Sequence, residues 1–507
     1  MQYRSDNYTK PVLLLIALLS AYRALLAFVM ELGNDETYYW LYSQQLQWNY
    51  FDHPPGVAIW IRLFTANLLL DDYEGFIRLG SVVGASVSSW FIFKTVALIH
   101  SEKAGWYAVI LYNASFYASV TAGIYILPDS PQMVVWTFSL WMLAKIIDDD
   151  RKYLHWILFG IGAGLSIMCK VHAGFLWIGF GLFILFNKRA WLARPQFYLS
   201  VLLTAIIISP IFIWNYQYDF VTWNYHSERV DVDVWKLNWW SFVKQFASQV
   251  GFNNPINFVL VIMAALGWKS IPKKHRGILS IFGITGGLLA FSLLVVSFFR
   301  DTTLPHWSGP AFVTLIPMAA IYLAEKKRSF FPPVLRSSLA VFLLIYTGWA
   351  IVLQYYPGTF SRDTENLGKG DITADMFGWE DAGHQFSAIR EKDISEGLMP
   401  EGAPMVTSHW WGAHVEYYFC RPVDMVMIGL GTKKTGHYLW LNASRSRNVN
   451  MEQAYCVVPS TDRYRIPYEH YKQIELSRVI DVNRNGRPAH RFFVYRLKGF
   501  KGKVPAK

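Results

Sequence analysis

The chain has 507 residues, of which 53% are hydrophobic and only 16% charged, with a formal net charge of +11. An ordinary soluble protein carries about 25% charged residues, so a wholly soluble protein is excluded; the deficit lies before residue 355, and the remainder has the composition of a soluble domain. The positive charge does not mark a nucleic-acid binder, because the basic residues fall mainly in short loops between apolar segments, which is the pattern of a membrane-topology signal.

A bilayer core takes about 20 apolar residues per helix. Eleven segments qualify in chain order, roughly 11–30, 75–99, 104–122, 131–147, 155–169, 172–187, 197–214, 256–270, 278–299, 308–324 and 333–353. The first has no small-residue cleavage site and is expected to stay as a helix. With the N-terminus inside, the inner side holds Arg4 and Lys10, then Lys103, Arg151 and Lys152, Lys188, Arg189 and Arg194, Lys269, Lys273, Lys274 and Arg276, and Lys326, Lys327 and Arg328. That distribution obeys the positive-inside rule. The outer loops then hold Asp35, Glu36, Asp52, His53, Asp129, Lys170, His226, Arg300 and His306. The rule knows nothing of chemistry, yet it places these candidates on one face.

The first outer loop, 31–74, is expected to carry two interfacial helices, one over Asp35–Gln47 and one started by Pro54-Pro55. The outer segment Trp214–Pro255 has a partly re-entrant composition. Residues 1–355 therefore read as a polytopic membrane domain that includes loop 31–74, and 360–507 as a soluble α/β domain on the outer face. Strands are expected near Ala403–Ser408, Asp424–Ile428, Ala454–Val458 and Arg491–Leu497, with a helix running through Glu416. The three cysteines have no metal spacing. Cys169 reads as a core residue, whereas Cys420 and Cys456 share the outer compartment and are able to pair.

Several positions carry two readings each. Asp35-Glu36 is a general base or ligand-orienting carboxylate at the membrane surface, or an acidic cap on the following helix. In Tyr50-Phe51-Asp52-His53-Pro54-Pro55, His53 contacts a phosphate or simply belongs to a proline-rich turn. Asp129, in Leu127-Pro128-Asp129-Ser130-Pro131, is a second site acid or an ordinary helix start. Lys170 and Arg78 hold a lipid phosphate or snorkel to water. His306 and Trp307 line a cavity or anchor the interface. No Walker loop, dinucleotide fingerprint, zinc motif or nucleophile elbow is present.

The motifs DETYYW, YFDHPP, IRLGSVVG, LPDSPQ, GLSIMCKVHAG, SPIFIWN and PHWSGPAF occur in that order over roughly residues 10–325. Together they resemble the polytopic GT-C glycosyltransferases of the protein O-mannosyltransferase and aminoarabinose–lipid A transferase group (families 39 and 83). DMFGWED and SHWWGAHVEYYF resemble the outer domain of that group more loosely. The resemblance implies sugar transfer from a polyprenyl-phosphate carrier to a glycolipid, glycan or protein acceptor, with no nucleic acid involved. It also implies a bacterial inner membrane, with the site and the C-terminal domain on the periplasmic face. Asp35 matches the catalytic acid, Glu36 its neighbour, Asp129 the acid opening the fourth helix, and Lys170 a lipid-phosphate contact. His53 stands where the aminoarabinose branch has a phosphate-contacting lysine. Tyr38 stands where that branch has an arginine, which argues against an aminoarabinose donor.

The scheme expected from these residues is a single inverting displacement. Asp35 is the base, with Glu36 or Asp129 orienting the base or the acceptor. Lys170, His53 and Arg78 stabilise the departing phosphate, and Tyr38, Tyr50, Asp52, His306 and Trp307 line the substrate cavity. No cofactor is required, although Asp35, Glu36 and Asp129 offer the oxygen donors that a divalent cation takes. The alternatives are a transporter or flippase for a lipid-linked sugar, against which stands the lack of paired repeats, and an assembly scaffold.

Overall fold

The computed structural model describes residues 7–230, 237–301, 304–327, 329–431 and 433–505. Arg4 and Arg328, used above for orientation, lie outside the described residues. The helices in chain order are α1 (Thr9–Val29), α2 (Asn34–Gln44), α3 (Gly56–Phe64), α4 (Glu74–Ile99), α5 (Glu102–Ala114), α6 (Asp129–Asp148), α7 (Tyr153–Cys169), α8 (Phe175–Asn187) and α9 (Pro195–Gln217). There follow α10 (Val221–Val230), α11 (Trp239–Phe252), α12 (Pro255–Leu266), α13 (Lys273–Ser297), α14 (Gly309–Lys326), α15 (Pro333–Tyr355), α16 (Trp379–Ser395), α17 (Gly412–Val415) and α18 (Tyr438–Arg445).

Each of the eleven apolar segments is a helix. Among the described residues, six are long and apolar enough to cross a bilayer: α1, α4, α9, α13, α14 with its preceding turn, and α15. Others are short, with 13 residues in α5, 17 in α7 and 13 in α8. α11 and α12 together satisfy the same criteria but meet at 100°, a broken or re-entrant span. Asn254 makes the corner. It adopts φ +65°, caps α12 by accepting from the Ile256 N–H, and donates to the Ala114 and Ser338 carbonyls. Pro255 then opens α12, where a missing N–H costs nothing.

The chain forms two compact units. The membrane unit comprises residues 1–27 and 47–346. Its core contains Trp136, Trp156, Tyr107 and Tyr117, packed among α4, α5, α6, α7, α13 and α14. A buried arginine on α1, Arg23, donates through Nη2 to Asn113 and the Ser119 hydroxyl, each at 2.7 Å, the kind of partner a charge at that depth requires.

The second unit, called the outer unit after the face that the sequence predicts for it, comprises residues 28–46 and 347–507. The assignment of all of loop 31–74 to the membrane domain is thus revised: α2 belongs to the outer unit and α3 to the membrane unit. The outer sheet has five strands, β1 (Met405–Thr407), β2 (Met427–Gly429), β3 (Gln453–Pro459), β4 (Tyr471–Arg484) and β5 (Arg487–Phe500), in the order β2-β1-β3-β5-β4. β1 is parallel to β2 and β3; β5 is antiparallel to β3 and β4. One face packs through Val406, Ile428, Tyr495 and Leu497. The four expected strands are present, and the helix through Glu416 takes the form of α17 and a π-turn, Glu416–Cys420. α16, α18 and β4 are additional to the expected elements. Cys420 and Cys456 are free and buried, so they do not pair.

Candidate functional site

In the membrane unit the site is built on a buried ion pair. Asp129 is the first residue of α6, and Lys170 is the extended residue that ends α7. The Lys170 ammonium donates to the Asp129 carboxylate at 2.8 Å, with the two residues only 5% and 1% exposed. The Tyr117 hydroxyl donates to the other carboxylate oxygen at 2.9 Å. His172 and His306 also lie within electrostatic reach of Asp129. A buried pair of charges persists only where such hydrogen bonds replace water. Lys170 therefore does not snorkel, and Asp129 does more than start a helix. One of the three ammonium donors is used by Asp129.

Tyr117 is aimed by Gly309, because a Cβ there would overlap the Tyr117 ring. Gly309 follows the turn Pro305–Ser308 that carries His306 and Trp307, both half-buried. Arg78 is fully buried on α4; it donates to the Ala27 carbonyl at 3.2 Å and lies 5.8 Å from the Tyr125 ring. It too does not snorkel.

The Asp52–His53 turn is closed by the Tyr50 N–H donating to the His53 carbonyl at 3.1 Å. α10 fastens it. The Thr222 hydroxyl donates to the Tyr50 carbonyl at 2.9 Å, and His226 holds the Asp52 carbonyl at 2.5 Å. The His53 and His226 rings are 5.8 Å apart. Gly56 brings this turn against the end of α7, since a Cβ there would come within 2.7 Å of the Cys169 Cα, one residue from Lys170. Asp52, His53 and Lys170 are thus set by one contact of α3 on α7. Tyr50 is buried and its hydroxyl accepts from the Gln47 N–H.

In the outer unit, α2 separates the acidic pair. Glu36 is 3% exposed and accepts from the Gly33 N–H at 2.9 Å, so it caps the helix. Asp35, in the same first turn, is exposed. Tyr38, expected to line a substrate cavity, is 4% exposed; its hydroxyl accepts from the His437 N–H, and its ring meets Tyr42 and Trp410, each at 5.0 Å. Leu32 N–H donates to Tyr418 at 2.7 Å, and the Glu31 carboxylate caps α16 through the Trp379 N–H at 2.8 Å.

A third carboxylate escaped the sequence reading. Asp375 accepts from the Asn34 N–H at 3.3 Å, at the start of α2. Burial, followed by the negative charge of Asp35 and Glu36, pushes its pKa up to about 7. Among the described residues, no three His, Cys, Asp or Glu side chains gather as a metal site. Asp129 is committed to Lys170 and Tyr117, which does not favour it as a metal ligand.

The class this architecture defines is the GT-C glycosyltransferase fold, and the chain is an integral membrane protein of that fold. It overlays ArnT from Cupriavidus metallidurans in the apo state with a TM-score of 0.64, at 12% identity, over 96% of this chain and 98% of that one. The overlay on ArnT bound to undecaprenyl phosphate also gives 0.64, at 13% identity, over 95% and 97%. The family described as dolichyl-phosphate-mannose-protein mannosyltransferase matches residues 52–214. The lipid A galacturonosyltransferase RgtD of Rhizobium johnstonii is 24% identical over 232 residues, which is 45% of this chain and 48% of that protein. The alignment thus spans about half the length of the curated relative.

Proposed function

We propose that the chain is a glycosyltransferase that moves a sugar from a polyprenyl-phosphate carrier to an acceptor on the outer, periplasmic face of a bacterial inner membrane. The observation that carries this is the Asp129–Lys170 pair: a buried ammonium, held at 2.8 Å by one carboxylate oxygen, within the segment that matches the mannosyltransferase family. A fold shared with a protein that binds undecaprenyl phosphate supports the donor class, and the lipid A galacturonosyltransferase supports a glycolipid acceptor.

Lys170 stabilises the departing phosphate with the donors Asp129 leaves to it, and Asp129 fixes its position and charge. His53 and Arg78 add to the positive field. Asp35, exposed and in a helix first turn, takes the proton of the acceptor hydroxyl as the new glycosidic bond forms. The lipid phosphate leaves as that bond forms, so the anomeric configuration inverts. Glu36 acts on Asp35 only through the cap that shapes the first turn. The lipid-phosphate bond supplies the driving force, and the scheme uses no cofactor; transfer that vanishes with EDTA and returns with a divalent cation would count against it.

The test is transfer by purified protein in nanodiscs, with polyprenyl-phosphate sugars as donors and a membrane extract supplying acceptors. Free polyprenyl phosphate and a glycosylated product of inverted configuration are expected. Retained configuration rules out the single displacement, and a donor carried across the bilayer without cleavage points to the flippase alternative.

A further inference from the structure

In the outer sheet, β1 and β3 run parallel and adjacent, yet the chain leaves their carboxyl ends in opposite directions. From β1 it goes to β2 on one side; from β3 it goes to β4 and β5 on the other. Such a switch opens a crevice outside the strand ends, and open α/β sheets bind ligands there. A cavity of about 310 Å³ occupies this place. Thr407 and Val458 come from the two strand ends, Trp411 from the loop after β1, and Thr461 and Asp462 from the loop after β3. The opposite wall is the segment 368–375 with Asn34 of α2. The volume lies at the low end of small-molecule sites, which run from about 300 to 1,000 Å³.

The lining also selects a chemistry. Its carboxylates are Asp371, Asp375 and Asp462, against one lysine, Lys369. Arg484, 3.5 Å from Asp371, offsets one of them. His490 stays neutral, because burial pushes its pKa down to about 4. His409, the remaining histidine on the wall, uses Nδ1 to accept from the Trp411 N–H. α17, which follows β1, has four residues and offers no anion site. Lys369 and Arg484 are matched by Asp371 and Asp462, and Asp375 adds no positive charge, so the wall offers no surplus of positive charge to a phosphate, nucleotide or uronate. Trp379 and Trp411 present large apolar rings, while Thr407, Thr461 and Asn34 supply neutral polar groups. Apolar faces beside hydroxyls, amides and carboxylates match a pyranose, whose C–H face packs on indole and whose hydroxyls bond to carboxylates.

We propose that this cavity binds a neutral or amino-bearing pyranose unit, a carbohydrate element of the acceptor. Its assignment to the acceptor rests on the transferase reading; its affinity for the sugar does not. Asn34 is both a cavity wall and the neighbour of Asp35, so an occupant would be sensed at the start of α2.

Saturation-transfer NMR on the full-length protein in nanodiscs tests this without any donor. The probes are N-acetylglucosamine, glucosamine and galacturonic acid. The first two are expected to receive saturation and galacturonic acid none. Thr461→Tyr, which fills the mouth, and Trp411→Ala, which removes a face, are each expected to weaken binding about tenfold or more; loss in either folded variant supports the site. No signal from either of the first two sugars, an undiminished signal in both variants, or equal binding of galacturonic acid overturns it. A wild type that binds the sugars but transfers nothing to any acceptor leaves the cavity standing and counts against the transferase reading alone.

Discussion

Two carboxylates, Asp35 and Asp129, stand in the first turns of α2 and α6 and look alike as letters in a sequence. Their surroundings are opposite. Asp129 is buried with an ammonium at 2.8 Å and a phenol at 2.9 Å; Asp35 is exposed, and its charge acts on the buried Asp375. A carboxylate locked to a lysine is a fixed counter-ion and a poor base. A carboxylate open to water is free to meet an acceptor hydroxyl. The helix-start position is shared, and the surroundings decide which acid is a fixed charge and which is open to solvent.

The largest expected effect breaks this comparison at Asp35. Asp35→Asn should lower the transfer rate by about 10²–10⁴-fold, the usual worth of a general base, with an unchanged melting profile. Next comes Lys170→Met, which strands Asp129 as a buried charge. It should cost about 3–5 kcal/mol of stability, seen as a lower thermal midpoint in detergent. The double variant Lys170→Met/Asp129→Asn should regain most of that stability and none of the activity. Stability without activity separates the phosphate role of Lys170 from its structural one; recovery of both would remove the phosphate role. Tyr117→Phe removes one hydrogen bond to the charged carboxylate and should cost about 1.5–3 kcal/mol, with a smaller loss of turnover.

Much of this was legible in the sequence. Eleven apolar segments became eleven helices, of which six among the described residues have the length and apolarity a bilayer requires. Asp129 and Lys170 were singled out separately, from helix-start and interface signals. Their pairing was not legible, since they lie 41 positions apart. Tyr117 sits in an aromatic apolar run and reads as core; only Gly309 and the fold turn its hydroxyl toward Asp129. Asp375 lies 341 positions from Asn34, and no local pattern announces that contact. β4 escaped because it is an edge strand with many exposed positions, so no apolar alternation marks it. Loop 31–74 looked continuous, and contacts such as those of Tyr38, Leu32, Glu31 and Asn34 with residues 375–437 show that its first part belongs to the outer unit.

A further effect is a slope with pH. Asp375 has its pKa raised from 3.8 to about 7 in the folded chain. Between those values the folded state binds more proton than the unfolded state, so stability falls as pH rises from about 4 to about 7. Asp375→Asn has no proton to lose and should flatten that part of the profile. Thermal midpoints at several pH values, wild type beside variant, check it; an identical slope in both would place the titration elsewhere.

The measurement that bears most directly on the account is side-by-side transfer by wild type and Asp35→Asn in nanodiscs, with polyprenyl-phosphate sugars and membrane-extract acceptors. The account predicts that the wild type releases free polyprenyl phosphate and forms a glycosylated product, and that the well-folded variant does neither. Normal turnover by Asp35→Asn would contradict it.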